Sequence, residues 1–202
     1  MAHILPFTPK PASKIGFQRV RKKAKGGQTV AQLPLFEGSG RILHLPDTLS
    51  PFEKALLLDE RGDDRAARFY QQAIAEGEST ADAYCNLGIL ESKAGRTTKA
   101  FDCFTRSLKE DPRHLESHYN LGNLYFESGD LRLAKTHFQM AAEIDPDYPN
   151  AYFNLGLVHA MNNDLSSAAE AIRRYVELTS PEENAKAREL LEILNRTLHG
   201  KP

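Results

Sequence analysis

A tripeptide, Asn-Leu-Gly, occurs at 86–88 and recurs every 34 residues, at 120–122 and 154–156. That interval belongs to solenoids built from helical hairpins, and little else folds with it. The rest of the repeat runs in step: Gly95 with Gly129, Ala100 with Ala134 and Ala168, Phe104 with Phe138 and Ile172, Pro112 with Pro146. Three units follow, 81–114, 115–148 and 149–182, each holding two apolar-periodic stretches of about a dozen residues separated by a turn.

The punctuation has physical reasons. Gly95, Gly129 and the pair Asn162-Asn163 suit a left-handed C-cap, which ends the first helix of each unit. Asp111-Pro112 and Asp145-Pro146 end the second helices, because a residue before proline is pushed out of the α region. Gly88 and Ala100 remove side-chain bulk where two antiparallel helices must approach closely, and Leu87 and Phe104 fill the space around that contact. A single hairpin cannot bury its apolar face, so the units must stack.

A weaker unit precedes these at 47–80, with Ala66, Tyr70 and Ala73 in place but Glu53-Lys54 where Leu-Gly is expected. Ser50-Pro51-Phe52-Glu53 reads as a capping box with proline at the first helical position. The same device at Ser180-Pro181-Glu182-Glu183 predicts a C-terminal capping helix over about 181–198.

These residues closely resemble the tetratricopeptide repeat (TPR) family over 47–199. The first clear unit matches the family pattern at Tyr84, Leu87, Gly88, Ala100, Phe104, Ser107 and Pro112, and the next at His118, Leu121, Gly122, Tyr125, Ala134, Phe138, Ala141 and Pro146. The third keeps Tyr152, Leu155, Gly156 and Ala168, but has Tyr175 at a usually small place and its proline one position late, at Pro181. The resemblance implies an all-α, right-handed α-α superhelix in which the first helix of each pair lines a concave groove. It implies a scaffold or adaptor that binds a peptide or partner protein there, and not an enzyme.

The groove residues so implied are Asn86, Ile89 and Lys93, then Tyr119, Asn120, Asn123 and Phe126, then Phe153, Asn154 and Leu157. Asn86, Asn120 and Asn154 share one place in their units and form a prospective ladder of amides, each able to donate and accept toward the backbone of an extended peptide. The family's carboxylate clamp uses lysine one place earlier. Here that place holds Pro51, Cys85, Tyr119 and Phe153, so the clamp is absent.

Charge divides the chain unevenly. Residues 1–36 carry seven basic residues and no acidic one, leaving 19 of the 26 Lys/Arg to face all 27 Asp/Glu in the remainder. We read 1–46 as a basic, flexible arm and linker, free to touch nucleic acid, an acidic membrane surface or the body itself. Arg19, Arg21, Lys22, Lys23 and Lys25, interleaved with Ile15, Phe17 and Val20, are the candidate nucleic-acid contacts, and a nucleic-acid-associated regulator is the alternative function. Gly26-Gly27-Gln28 resembles the release-factor tripeptide but lacks its context and reads as a hinge, and 28–46 suggest a short extended segment.

No run of 18 apolar residues occurs, and Pro6, Pro9 and Pro11 interrupt the start where a secretory signal would be continuously apolar, so a cytoplasmic location is expected. Cys85 and Cys103 have neither metal-ligand spacing nor a Cys-x-x-Cys arrangement and read as reduced, partly buried thiols. No phosphate loop, His-Glu-x-x-His or Gly-x-Ser-x-Gly sequence is present, and the seven histidines are scattered, so no cofactor, metal or small-molecule substrate is expected. His118 and His159 fall on packing places of their repeats.

Overall fold

The computed structural model describes residues 16–20 and 49–200. Among them are nine α-helices and no strand: α1 Pro51–Glu60, α2 Ala66–Ala75, α3 Thr80–Lys93, α4 Thr97–Glu110, α5 Leu115–Glu127, α6 Leu131–Ile144, α7 Pro149–Met161, α8 Leu165–Leu178 and α9 Ala185–Leu198. Each helix packs on its sequence neighbours, α1 on α2 through to α8 on α9, and the inner helices α3 and α5 also touch. The result is a solenoid of four hairpins and a final helix. None of these helices is long and apolar enough to cross a membrane.

Local chemistry explains the boundaries. Ser50 and Glu53 form the reciprocal capping box at α1, with Pro51 at the first helical position. Gly95, Gly129 and Asn163 all take positive φ, at 73°, 83° and 59°. The amides that follow them, of Arg96, Asp130 and Asp164, close back onto the carbonyls of Glu91, Tyr125 and His159, each at 2.9 Å, which are Schellman closures. The C-terminal box behaves differently from the sequence expectation. Ser180 and Glu183 do bond reciprocally, but the box caps a turn, and α9 starts only at Ala185. Buried Asn184 intervenes, donating to the carbonyls of Val176 and Thr179 at 3.0 and 3.1 Å, and so satisfies groups that the end of α8 leaves free.

Close helix approach depends on three glycines. A Cβ built on Gly122 would lie 2.5 Å from a Phe138 ring carbon, one on Gly88 2.8 Å from Phe104, and one on Gly156 2.5 Å from Ile172. Phe104, Phe138 and Ile172 are fully buried, as are Ala100, Ala134 and Ala168 one turn earlier on the same helices. Polar contacts also join helices within a hairpin and between neighbouring hairpins. Ser107 donates to the Ala81 carbonyl and receives the Ser117 hydroxyl, both at 2.7 Å, while His114 Nε2 lies 3.0 Å from Asp82.

His118 packs as expected, but with a specific partner. Its Nε2 lies 3.1 Å from the Pro112 carbonyl, which only accepts, so that nitrogen carries the proton. Nδ1 of His118 is then the acceptor toward Nδ1–H of His137, 3.1 Å away. Burial, and then the neighbouring His118, hold the His137 imidazole down to about 4, and His118 is lowered too, chiefly by burial.

Two predictions follow from this packing. Gly122→Ala should cost about 1–3 kcal/mol, and Gly122→Leu should unfold or badly weaken the array, because the Phe138 ring is buried on all sides and cannot yield. An unchanged melting temperature for Gly122→Leu would show that the site is not closed. The histidine pair predicts an acid-labile fold. Both folded-state pKa values lie below the unfolded value of about 6.5, so between pH 6.5 and 4 the unfolded chain binds protons that the folded chain refuses. Stability should therefore rise with pH through that window, and acidification from pH 7 to 5 should cost about 1–2 kcal/mol more in the wild type than in His137→Gln, measured by urea unfolding. Equal losses would contradict the assignment.

Candidate peptide-binding groove

The Asn-Leu-Gly tripeptide places its asparagine by simple geometry. Two residues along an α-helix turn the side chain by about 200°, so when the glycine faces the partner helix the asparagine faces away from it, into the groove. Asn86 on α3 and Asn120 on α5 do this. Both are fully buried, because an extended segment of the same chain, Gly16–Val20, lies across them.

The pairing is with the backbone. Asn120 Oδ1 accepts the Gln18 amide at 2.8 Å, and its Nδ2 donates to the Gln18 carbonyl at 3.0 Å. One repeat earlier, Asn86 Oδ1 accepts the Val20 amide at 3.0 Å and its Nδ2 donates to the Val20 carbonyl at 3.2 Å. Asn123 Nδ2 donates to the Gly16 carbonyl at 3.3 Å. Alternate residues 16, 18 and 20 thus present their polar backbone to the asparagines, as the two-residue period of extended chain requires. The segment runs from α5 toward α3, opposite to the order of the repeats.

Side chains complete the contact. Val20 is buried in a cluster with Cys85, Ile89, Leu121 and Leu124, and the Phe17 ring stacks on Phe104, with centroids 6.0 Å apart and planes inclined by 17°. Arg19 reaches the last turn of α1, where Nη2 lies 2.6 Å from Asp59 Oδ1 and Nη1 donates to the Asp59 main-chain carbonyl at 3.3 Å. Asp59 is only 3% exposed. Its other carboxylate oxygen accepts the Tyr70 hydroxyl at 3.2 Å. Burial raises the Asp59 pKa, opposed by the charges of Arg19 and Lys93 and by the Tyr70 hydrogen bond.

The remaining groove residues separate into two groups. Ile89 lies under Val20, and exposed Lys93 sits within electrostatic reach of Asp59. The third rung is different: Asn154 donates to the Tyr119 hydroxyl at 3.1 Å and to Asn123 Oδ1 at 2.9 Å, and its own Oδ1 accepts no hydrogen bond among the described residues. Tyr119 is fully buried between Phe138 and Tyr148. Phe153 packs 5.0 Å from Tyr175 and shares a cluster with Leu157, Ala187 and Leu194, with Phe126 half-buried at its edge. At this end the apolar residues serve the core toward α8 and α9.

Arg19, read from sequence as a nucleic-acid contact, turns its guanidinium into the groove, whereas Arg21, Lys22, Lys23 and Lys25 lie outside the described residues. Within the segment 1–46 expected to be flexible, residues 16–20 are held along the helices, and 1–15 and 21–46 lie outside the described residues. Both cysteines are free and buried. Burial pushes the Cys85 thiol up to about 12 and Cys103 to about 11, and Cys85 serves as a second acceptor for Asn120 Nδ2 at 3.4 Å. Among the described residues no group of three His, Cys, Asp or Glu could hold a metal ion. An open cleft of about 620 Å³ lies elsewhere, among α6, α7 and α8, lined by Gln139, Tyr152 and Arg174.

The described residues thus form a solenoid of helical hairpins whose amide-lined inner face is met by the chain's own Gly16–Val20. Family profiles agree: one for "TPR repeat" matches residues 122–163, and two for "Tetratricopeptide repeat" match 103–136 and 52–114. The chain belongs to the tetratricopeptide repeat family, whose repeats build protein-protein interaction scaffolds. Comparison with curated protein sequences finds no match.

Solved structures share the fold. MamA 41-end from Desulfovibrio magneticus RS-1 is 22% identical with a TM-score of 0.62, covering 72% of this chain and 82% of its own. The first TPR of Spaghetti (RPAP3), bound to the HSP90 peptide SRMEEVD, is 24% identical with a TM-score of 0.54, covering 59% of this chain and 93% of its own. The first TPR domain of human RPAP3 is also 24% identical, with a TM-score of 0.53, covering 60% of this chain and 94% of its own.

Proposed function

We propose that the chain is an adaptor that holds a partner protein by an extended internal segment laid along Asn86, Asn120 and Asn123. The observation that carries this reading is that Asn86 and Asn120 each engage both the N–H and the C=O of one residue of an extended segment. A side-chain amide is the one neutral group that donates and accepts from adjacent atoms, so it recognises peptide backbone as another strand would. RPAP3's first TPR, one of the structural neighbours, holds an HSP90 peptide. The occupant here differs from a chain end: the clamp lysines are replaced by Pro51, Cys85, Tyr119 and Phe153, so the groove favours the interior of a chain over a terminal carboxylate.

The reading is tested in the full chain carrying Phe17→Ala and Arg19→Ala, so that its own segment competes less. Peptides selected from a displayed random library should lose about five- to a hundredfold in affinity when Asn120→Ala is added, because a buried backbone group left unpaired costs about 1–3 kcal/mol. Gln139→Ala, on exposed α6 surface beside the other cleft, should change nothing. Melting temperatures establish that each variant is folded. Failure to select any binder, or equal affinity in the two variants, rejects the reading.

A further inference from the structure

The amide rungs account for holding a backbone, and they carry no information about sequence. Selectivity must come from what the alternate side chains meet, and there the groove holds an unusual group. Asp59 is buried to 3% exposure, and among the described residues the close partner of its Oδ1 is Arg19. The other charged groups facing it are Lys93 from α3 and its own neighbour Glu60, and Tyr70 from α2 supplies one neutral hydrogen bond. Without a guanidinium from the occupant, a buried carboxylate oxygen is left with no donor in contact, which is the costly arrangement for a charge. The second Arg19 contact, to the Asp59 main-chain carbonyl at 3.3 Å, lies at the C-terminal end of α1, where a cation is favoured. One fork reaching a carboxylate and a carbonyl together is arginine chemistry, because lysine presents a single point of charge.

Either side of the arginine, the contacts are apolar. Phe17 stacks on Phe104, and Val20 is 8% exposed among Cys85, Ile89, Leu121 and Leu124. Gln18 is fixed through its backbone to Asn120, and its side chain makes no hydrogen bond among the described residues. We propose that the groove selects an extended protein segment of the pattern aromatic, any residue, arginine, apolar, and that Phe17–Val20 is a tethered occupant with that pattern which a partner must displace. This rests on the reading of the groove as a peptide site.

The tether gives the internal segment an advantage. A ligand joined to its own site has an effective concentration that reaches the millimolar range for short connections, so an external peptide making the same contacts is outcompeted until the internal one is weakened. A partner therefore succeeds by extending the same pattern onto further rungs.

The probe is a fluorescent peptide with the sequence of residues 14–21, titrated into the full chain and into the full chain carrying Phe17→Ala and Arg19→Ala. The peptide should bind the double variant at least tenfold more tightly than the wild type. Replacing arginine by alanine in the peptide, or Asp59→Asn in the protein, should each weaken binding to the double variant by tenfold or more. Equal binding to both chains, no binding to either, or indifference to the peptide arginine overturns the proposal. A wild-type dimer that grows with concentration and is lost in the double variant places the segment in a second copy, which overturns closure within one chain. If library-selected peptides depend on Asn120 while this peptide fails, the peptide groove stands and the sequence pattern falls.

Discussion

The contact between a glycine on each inner helix and a large apolar side chain on the outer one determines everything above it. Gly88 against Phe104, Gly122 against Phe138 and Gly156 against Ile172 leave no room for even a methyl group. That contact fixes which side of the inner helix meets its partner, and the helical turn of about 100° per residue then fixes where the residue two places earlier must point. An asparagine there has no outer helix to pack on and is presented to the groove. Packing and binding are thus read from one tripeptide, repeated, and the rungs keep their register because each hairpin is clamped the same way.

Buried amides facing an open groove would be expensive if nothing met them, since a polar group removed from water needs a partner. The occupant removes that difficulty for Asn86, Asn120 and Asn123 by supplying both donors and acceptors. It also brings the Arg19 guanidinium against Asp59, whose pKa burial raises and that charge opposes. The groove and its segment are therefore one hydrogen-bonded and ion-paired unit.

Much of this was legible in the residues. The 34-residue period marked three hairpins, with a weaker one expected before them, because glycine, asparagine and Asp-Pro punctuation acts locally and needs no tertiary knowledge. Asn86 and Asn120 were legible for the same reason. Asn154 was not, because its amide is consumed by Tyr119 and Asn123, a side-chain network invisible to a positional rule. Tyr119, Phe153 and Leu157 follow the rule in sequence yet pack into the interior, since α9 and the outer helices draw them there. Asp59 had a signal that went unused: it stands 34 residues before Lys93, at a groove-facing place, but in a unit whose Glu53-Lys54 masks the repeat. The destination of Phe17–Val20 could not be chosen from composition, because a basic, apolar-studded stretch suits phosphates, a membrane or an acidic groove alike.

The central claim is that the asparagine amides hold the backbone of Gln18 and Val20. Residue-resolved amide hydrogen exchange on the intact chain tests it most directly. The Gln18 and Val20 amides should exchange slowly, and Asn120→Ala should release Gln18 while the amides of α5 and α6 stay protected. Fast exchange at both positions in the wild type, with the helices protected, would contradict the account.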